Sequence, residues 1–356
     1  GWVKQAVTRG EDVLLPCAAG AITFYYLWMM LEERFRPELA FCTALLGTAY
    51  WVAAVVSRVR CKQDQNLWTA MGIAGTAFLT AAMPLYFETY ALVIGWTVKS
   101  VILIAVGILY GGVWMQGMGF LAMGLSLAGL FFLPSRDASF TPVFNGFFGT
   151  SFCVGLGTAI QHLLYRFWKT SDPERYALQS QWLYLITAAV LLGTGVLEWH
   201  CYWTHRGVEE VLVNTRTLQA FLLATAVFIV AVVCRPVCPA GLICRTAAVL
   251  AAVIGSIAAI ANLDALYDSS FPFIWNGSFA VQAAIVAAIF IAAIQFRKQH
   301  RIEGLDPKWN QCFGLAGVVT LWAILSQQVF AYWYCLDQYG SGGLLHWKFK
   351  AYMSLS

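Results

Sequence analysis

The stretch ALVIGWTVKSVILIAVGILY, Ala91 to Tyr110, runs for twenty residues with Lys99 as its only charge. As an α-helix it would rise about 30 Å, the thickness of a bilayer's hydrocarbon core, while bonding its own backbone polar groups on the way. It reads as a transmembrane helix, and its neighbours read the same way. Eleven such spans follow one another: Val13 to Leu31, Leu39 to Val59, Leu67 to Phe87, Ala91 to Tyr110, Val113 to Leu133, Phe144 to Phe167, Trp182 to Trp203, Leu218 to Val233, Leu242 to Leu263, Ser278 to Phe296 and Phe313 to Tyr334.

Composition agrees. Of 356 residues 60% are hydrophobic and 11% charged, against roughly a quarter charged in a soluble domain. The fold class is therefore all-α, a polytopic transmembrane helix bundle of about eleven spans, and residues 1–356 form a single integral membrane domain with no intervening stretch long enough for a soluble one. The net charge of +4 is spread in short clusters at the ends of spans. That pattern suits membrane flanks and offers nucleic acid no continuous face, so the expected partners are membrane lipids and other membrane proteins. The chain opens Gly1-Trp2-Val3-Lys4, with no Met and none of the regions of a cleavable signal, which suggests a piece of a longer protein.

Counting Lys and Arg in alternate loops gives an orientation. Fourteen fall on the side that holds Lys4, Arg58, Arg60, Lys169, Arg235 and Arg297, and seven on the side that holds Arg34, Arg136, Arg206 and Lys350. The richer side is expected to be cytoplasmic, with the N-terminus inside and the C-terminus outside.

Two loops on the outer side carry nearly the same phrase, DASFTPVFNGFF from Asp137 and DSSFPFIWNGSF from Asp268, 131 residues apart. At that offset the fourth, fifth and sixth spans fall on the eighth, ninth and tenth, and the seventh falls on the eleventh at a spacing shorter by one. The implied plan is a parallel internal repeat of four helices, since an even-numbered unit keeps its direction in the membrane. It divides the chain into a partial copy at 1–66, full copies at 67–180 and 181–310, and an extra span with an outer tail at 311–356.

The repeated Asn-Gly before a helix, the acidic-then-aromatic helix end Leu197-Glu198-Trp199-His200-Cys201-Tyr202-Trp203, and Pro84 and Trp96 about a helical hairpin resemble a family of bacterial multipass membrane proteins, domain of unknown function 2339. The resemblance implies a bacterial cytoplasmic membrane and longer relatives, and lends no catalytic residues. Gln328 stands where the last copy would repeat Glu198, which weakens any role needing two equivalent carboxylates.

Candidate binding residues follow from position. Asn145 and Asn276 precede apolar helices, where a side-chain oxygen can cap a backbone N–H; alternatively they line an outward-facing cavity between repeats with Asp137 and Asp268. Lys99 stands near mid-span, where an ammonium needs a partner or water. Its stem can instead snorkel toward an interface. Glu198, late in its span, is either hydrated there or turned inward to hold Lys99, a proton or a cation. Cys234, Cys238 and Cys244 make a poor zinc pattern, and His162 and His200 approach opposite faces, so no haem or metal site is expected. No cofactor motif and no catalytic motif is present. Three functions remain open: a transporter or lipid- and anion-binding protein, a non-catalytic scaffold of an envelope complex, and, behind these, an intramembrane enzyme using Glu198 or Asp137 as base on a lipid-linked substrate.

Overall fold

The computed structural model of the chain describes residues 18–26, 29, 35–60, 65–110, 112–133, 141–168, 173–234, 242–261, 277–303 and 308–339. Their regular structure is helical throughout: α1 (18–26), α2 (Arg36–Arg60), α3 (Gln65–Tyr86), α4 (Thr89–Leu109), α5 (Val113–Phe131), α6 (Gly146–Phe167), α7 (Pro173–His205), α8 (Glu210–Val233), α9 (Leu242–Ala261), α10 (Gly277–Glu303) and α11 (Lys308–Tyr339). Among the described residues, α2 to α11 supply ten helices long and apolar enough to cross a bilayer. Of the expected first span, only its middle falls within the described residues.

Burial runs opposite to that of a soluble protein. Phe131, Phe132 and Val59 are 89%, 80% and 67% exposed, while Gln161, Gln282 and Gln328 are fully buried. In water such a surface would aggregate; in lipid it is the expected arrangement, because hydrocarbon welcomes the apolar side chains and the polar ones turn inward to find partners. The chain is an integral membrane protein.

Some helices outrun their apolar cores. The seventh span is expected from Trp182, but α7 begins at Pro173, a residue that suits a helix start because its missing backbone N–H is no loss there. Likewise α8 begins at Glu210, eight residues before the expected Leu218.

The chain forms two compact units, one of residues 1–135 and 149–170 and the other of 136–148 and 171–356, boundaries that do not follow the expected repeat limits. In the first unit α2 packs on α3 and α4 on α5, with α3 touching both α4 and α5. Glycine lets the backbones meet. A Cβ on Gly75 would stand 2.8 Å from the carbonyl oxygen of Gly47, and one on Gly119 would press into Ile104, 3.2 Å from the carbonyl oxygen of Ser100. Hydroxyls and amides then bridge the helices. Thr97 Oγ1 lies 2.5 Å from Ser126 Oγ, Ser100 Oγ donates to the Gly119 carbonyl at 2.5 Å, Gln161 Nε2 donates to Ser100 Oγ at 2.9 Å, and Tyr165 donates to Gln116 Oε1 at 3.1 Å.

In the second unit α8 and α10 are central, each packed on α9, with α7 against α8 and α11 against α10. Leu222 and Ile229 of α8, Ile285 and Ile289 of α10, Ala248 of α9 and Ile324 of α11 are buried together. A glutamine chain crosses this core: Gln328 Nε2 donates to Gln282 Oε1 at 3.3 Å, and Gln282 Nε2 to the Ala259 carbonyl at 2.8 Å.

Gly75→Leu should therefore separate α2 from α3 and cost at least about 1–3 kcal/mol, the range for overpacking a tight contact. Gly117→Ala, where a Cβ meets nothing within 4 Å, should be neutral or slightly stabilising. Thermal unfolding of both variants in detergent checks the pair.

Candidate functional site

Lys99 is the eleventh residue of α4, which has 21, so its backbone stands at mid-membrane depth. Its Nζ donates to the carbonyl oxygen of Thr76 at 2.9 Å and to Thr80 Oγ1 at 2.5 Å, both on α3. The Thr80 hydroxyl itself donates to that same Thr76 carbonyl at 2.7 Å, one turn back, which turns its lone pairs toward the ammonium. The side chain leans toward the N-terminal end of α4, as helical side chains do. It does so without leaving the membrane interior, since Thr76 lies ten residues before the end of α3. Both partners are neutral and each takes one N–H, so among the described residues one of the three ammonium donors has no partner.

Lys99 and Thr76 are among the residues of a cavity of about 720 Å³ lined by α2, α3 and α4. Trp51, Leu79, Leu103 and Met83 share its wall, and it continues to Pro37, Tyr86 and Phe87 at the helix ends. Apart from Lys99 and Thr76, the lining is almost wholly aliphatic or aromatic. A volume of this size falls within the ~300–1,000 Å³ typical of small-molecule sites, whose usual form is an apolar cleft with a few placed polar groups.

Glu198 sits elsewhere, on α7 in the second unit. It is only 8% exposed, so a simply hydrated carboxylate is not what the structure holds. Its Oε1 accepts from the backbone N–H of Val143 and from Asn145 Nδ2, both at 2.7 Å. Asn145 also caps α6, because its Oδ1 accepts the N–H of Phe148 at 2.7 Å, three residues on. One side chain thus serves the helix with its oxygen and the carboxylate with its nitrogen. The negative charge is met by the two N–H donors of Val143 and Asn145. Val143 reaches Glu198 at φ 68, a left-handed conformation costing a β-branched residue about 1–3 kcal/mol.

Gln328, which the expected repeat pairs with Glu198, is fully buried and bonded to Gln282. Its amide does inside the core what a carboxylate could not do without a compensating charge. Asp137, Asp268 and Asn276 lie outside the described residues, as does Cys238. Phe144, beside the cap, is 86% exposed. His200 Nδ1 is 2.9 Å from Thr217 Oγ1 and His162 is buried in α6; among the described residues no three His, Cys, Asp or Glu gather as for a metal.

Sequence reading missed the partners of both charges. Thr76 and Thr80 are 23 and 19 residues from Lys99; their four-residue spacing on one face of the preceding span was the available signal. Val143 gave no signal, since nothing in a β-branched residue announces a positive φ.

No family model, no curated protein and no solved structure matches the chain.

Truncating Asn145 and Glu198 to Ala, singly and together, should show coupling. Each single variant is expected to lose about 1–3 kcal/mol, and the pair to lose less than the sum by 0.5 kcal/mol or more, roughly the floor for residues in contact. A double-mutant cycle on denaturant or thermal unfolding measures it, and strict additivity would mean the bonds contribute nothing.

Proposed function

We propose that this protein binds, and in that way carries or stores, an anionic or lipidic small molecule in the cavity walled by α2, α3 and α4, with Lys99 as the residue that holds its polar end. The observation that carries the reading is a mid-span, partly buried lysine in the wall of an apolar cavity, its ammonium bonded to two neutral oxygens. A buried cation kept only for stability would be better served by a carboxylate or by replacement with an apolar residue. A cation left with a spare donor on a ligand-sized space is suited to a ligand that completes it.

The proposal includes a bacterial cytoplasmic membrane with the N-terminus inside, a duplicated four-helix plan, and kinship with the family named above. The duplication rests on the two copies of the Asp-to-Phe phrase 131 residues apart, the first of which places Asn145 directly before α6. Under that plan the cavity lies between the partial copy, which supplies α2, and the first full copy, which supplies α3 and α4. Glu198, Asn145 and Gln328 serve as structural polar groups. Their bonds close on other parts of the protein, and nothing about them asks for a ligand. A scaffold function requires no occupant of the cavity, and it is the reading that stands if the cavity proves inert.

The test compares wild type with Lys99→Met, which keeps the stem and removes the charge, and Ala44→Trp, which fills the lining. Lipid extracts and native mass spectra of the purified proteins report what co-purifies. Wild type should retain a small ligand, and both variants should keep their fold and abundance while losing at least tenfold in occupancy. Equal occupancy in all three would end the proposal.

A further inference from the structure

We infer that the ligand is a single-chain carboxylic acid drawn sideways from the bilayer, an inference that rests on the cavity reading above and adds the class of head group. Three observations lead there: depth, opening and charge.

Depth comes first. Thr76 and Thr80 stand ten and six residues before Tyr86, where α3 ends, so the ammonium they hold lies roughly 9–15 Å below that helix end at 1.5 Å per residue. A phospholipid keeps its phosphate outside the hydrocarbon core. Bringing it to Lys99 would drag an ion that stays charged near neutral pH through an apolar mouth. A carboxylic acid can enter protonated and neutral, which removes that obstacle, and, on giving its proton to water at the helix-end mouth beside Tyr86 and Phe87, leave a carboxylate next to the ammonium.

The opening is lateral. Phe41 of α2 and Val98 and Ile102 of α4 line the cavity and are themselves 65%, 52% and 55% exposed, so the lining continues into the lipid-facing surface. A ligand that already resides in the bilayer reaches the site without passing through water. The apolar lining between that opening and Lys99 offers a hydrocarbon chain the environment it has just left.

Charge selects the head. Among the described residues the site presents one uncommitted N–H donor on a cation, beside a hydroxyl and a carbonyl already engaged with it. A carboxylate accepts from that donor and also brings the opposite charge, whose attraction to the ammonium is strong in an apolar setting. An alcohol of equal length offers only a neutral oxygen. A phosphate monoester brings three oxygens and two charges to a site with one donor.

The experiment uses the full chain in nanodiscs with three unlabelled sixteen-carbon ligands that differ in head group: palmitic acid, hexadecanol and palmitoyl lysophosphatidic acid. Dissociation constants are read by native mass spectrometry for wild type, Lys99→Met, Lys99→Arg and Ala44→Trp. The expected result is palmitic acid binding at least tenfold tighter than the other two, with Lys99→Met reducing it to the level of the alcohol. Lys99→Arg should keep part of the preference, and Ala44→Trp should weaken all three. Alcohol binding as tight as acid, or lysophosphatidic acid binding tighter, overturns the head-group inference. If Ala44→Trp still weakens every ligand in that case, the cavity reading survives it. Failure of wild type to bind any of them, or indifference of all three to Ala44→Trp, removes both.

Discussion

In a bilayer no water waits to solvate a polar group, so each one must be satisfied by the protein itself. Much of the described architecture follows from that constraint. Threonine and serine return their hydroxyls to the carbonyl one turn back, as Thr43 does to Leu39, Ser57 to Ala53, Thr97 to Val93 and Thr187 to Leu183. This local bond costs little in lipid and makes a small polar residue nearly as easy to bury as an alanine. Longer amides cannot bond so locally. Gln161, Gln282 and Gln328 therefore reach across helices, and in reaching they tie the bundle together.

The same constraint explains where glycine is needed. Without a hydrophobic drive between helices already surrounded by hydrocarbon, association depends on close packing and on bonds across the interface. Gly47 and Gly75 bring α2 and α3 to backbone contact, and Gly119 does the same for α5 against α4. Glycines that meet nothing, such as Gly117, Gly193 and Gly195, show that the residue type alone does not mark a contact.

This division sets what could be read from sequence. Spans were legible because apolarity over twenty residues is a one-dimensional property, and ten of the eleven expected reappear as helices of spanning length. Helix ends in polar sequence, as at Pro173 and Glu210, were not, because the search followed apolarity and those turns lack it. The cap at Asn145 was legible from the Asn-Gly step before an apolar run. Its second bond, to Glu198 some fifty residues on, depends on how two segments fold together. So does the cavity: Trp51, Thr76 and Lys99 come from three helices, and no spacing in the chain links them. Lys99 could be marked as unusual from its depth alone, but its surroundings could not.

Two charged residues show how differently the fold can accommodate an ion. Glu198 is enclosed by donors that belong to the start of a helix, and its Oε1 is engaged by two N–H groups. Asn145 links it to the start of α6, whose Phe148 N–H the same side chain caps, so the carboxylate holds the capping residue in place. Lys99 meets the reverse situation. Its acceptors are a carbonyl that already serves Thr80 and the Thr80 hydroxyl itself; neither carries charge, and helix α3 would lose no cap without the lysine. Pro84, four residues after Thr80, cannot donate an N–H to the Thr80 carbonyl, so α3 departs from regular bonding one turn from where it holds the ammonium. An ion that completes its host's own bonding is explained by the fold. An ion that is merely tolerated by it, beside a space of ligand size, is explained by what enters that space.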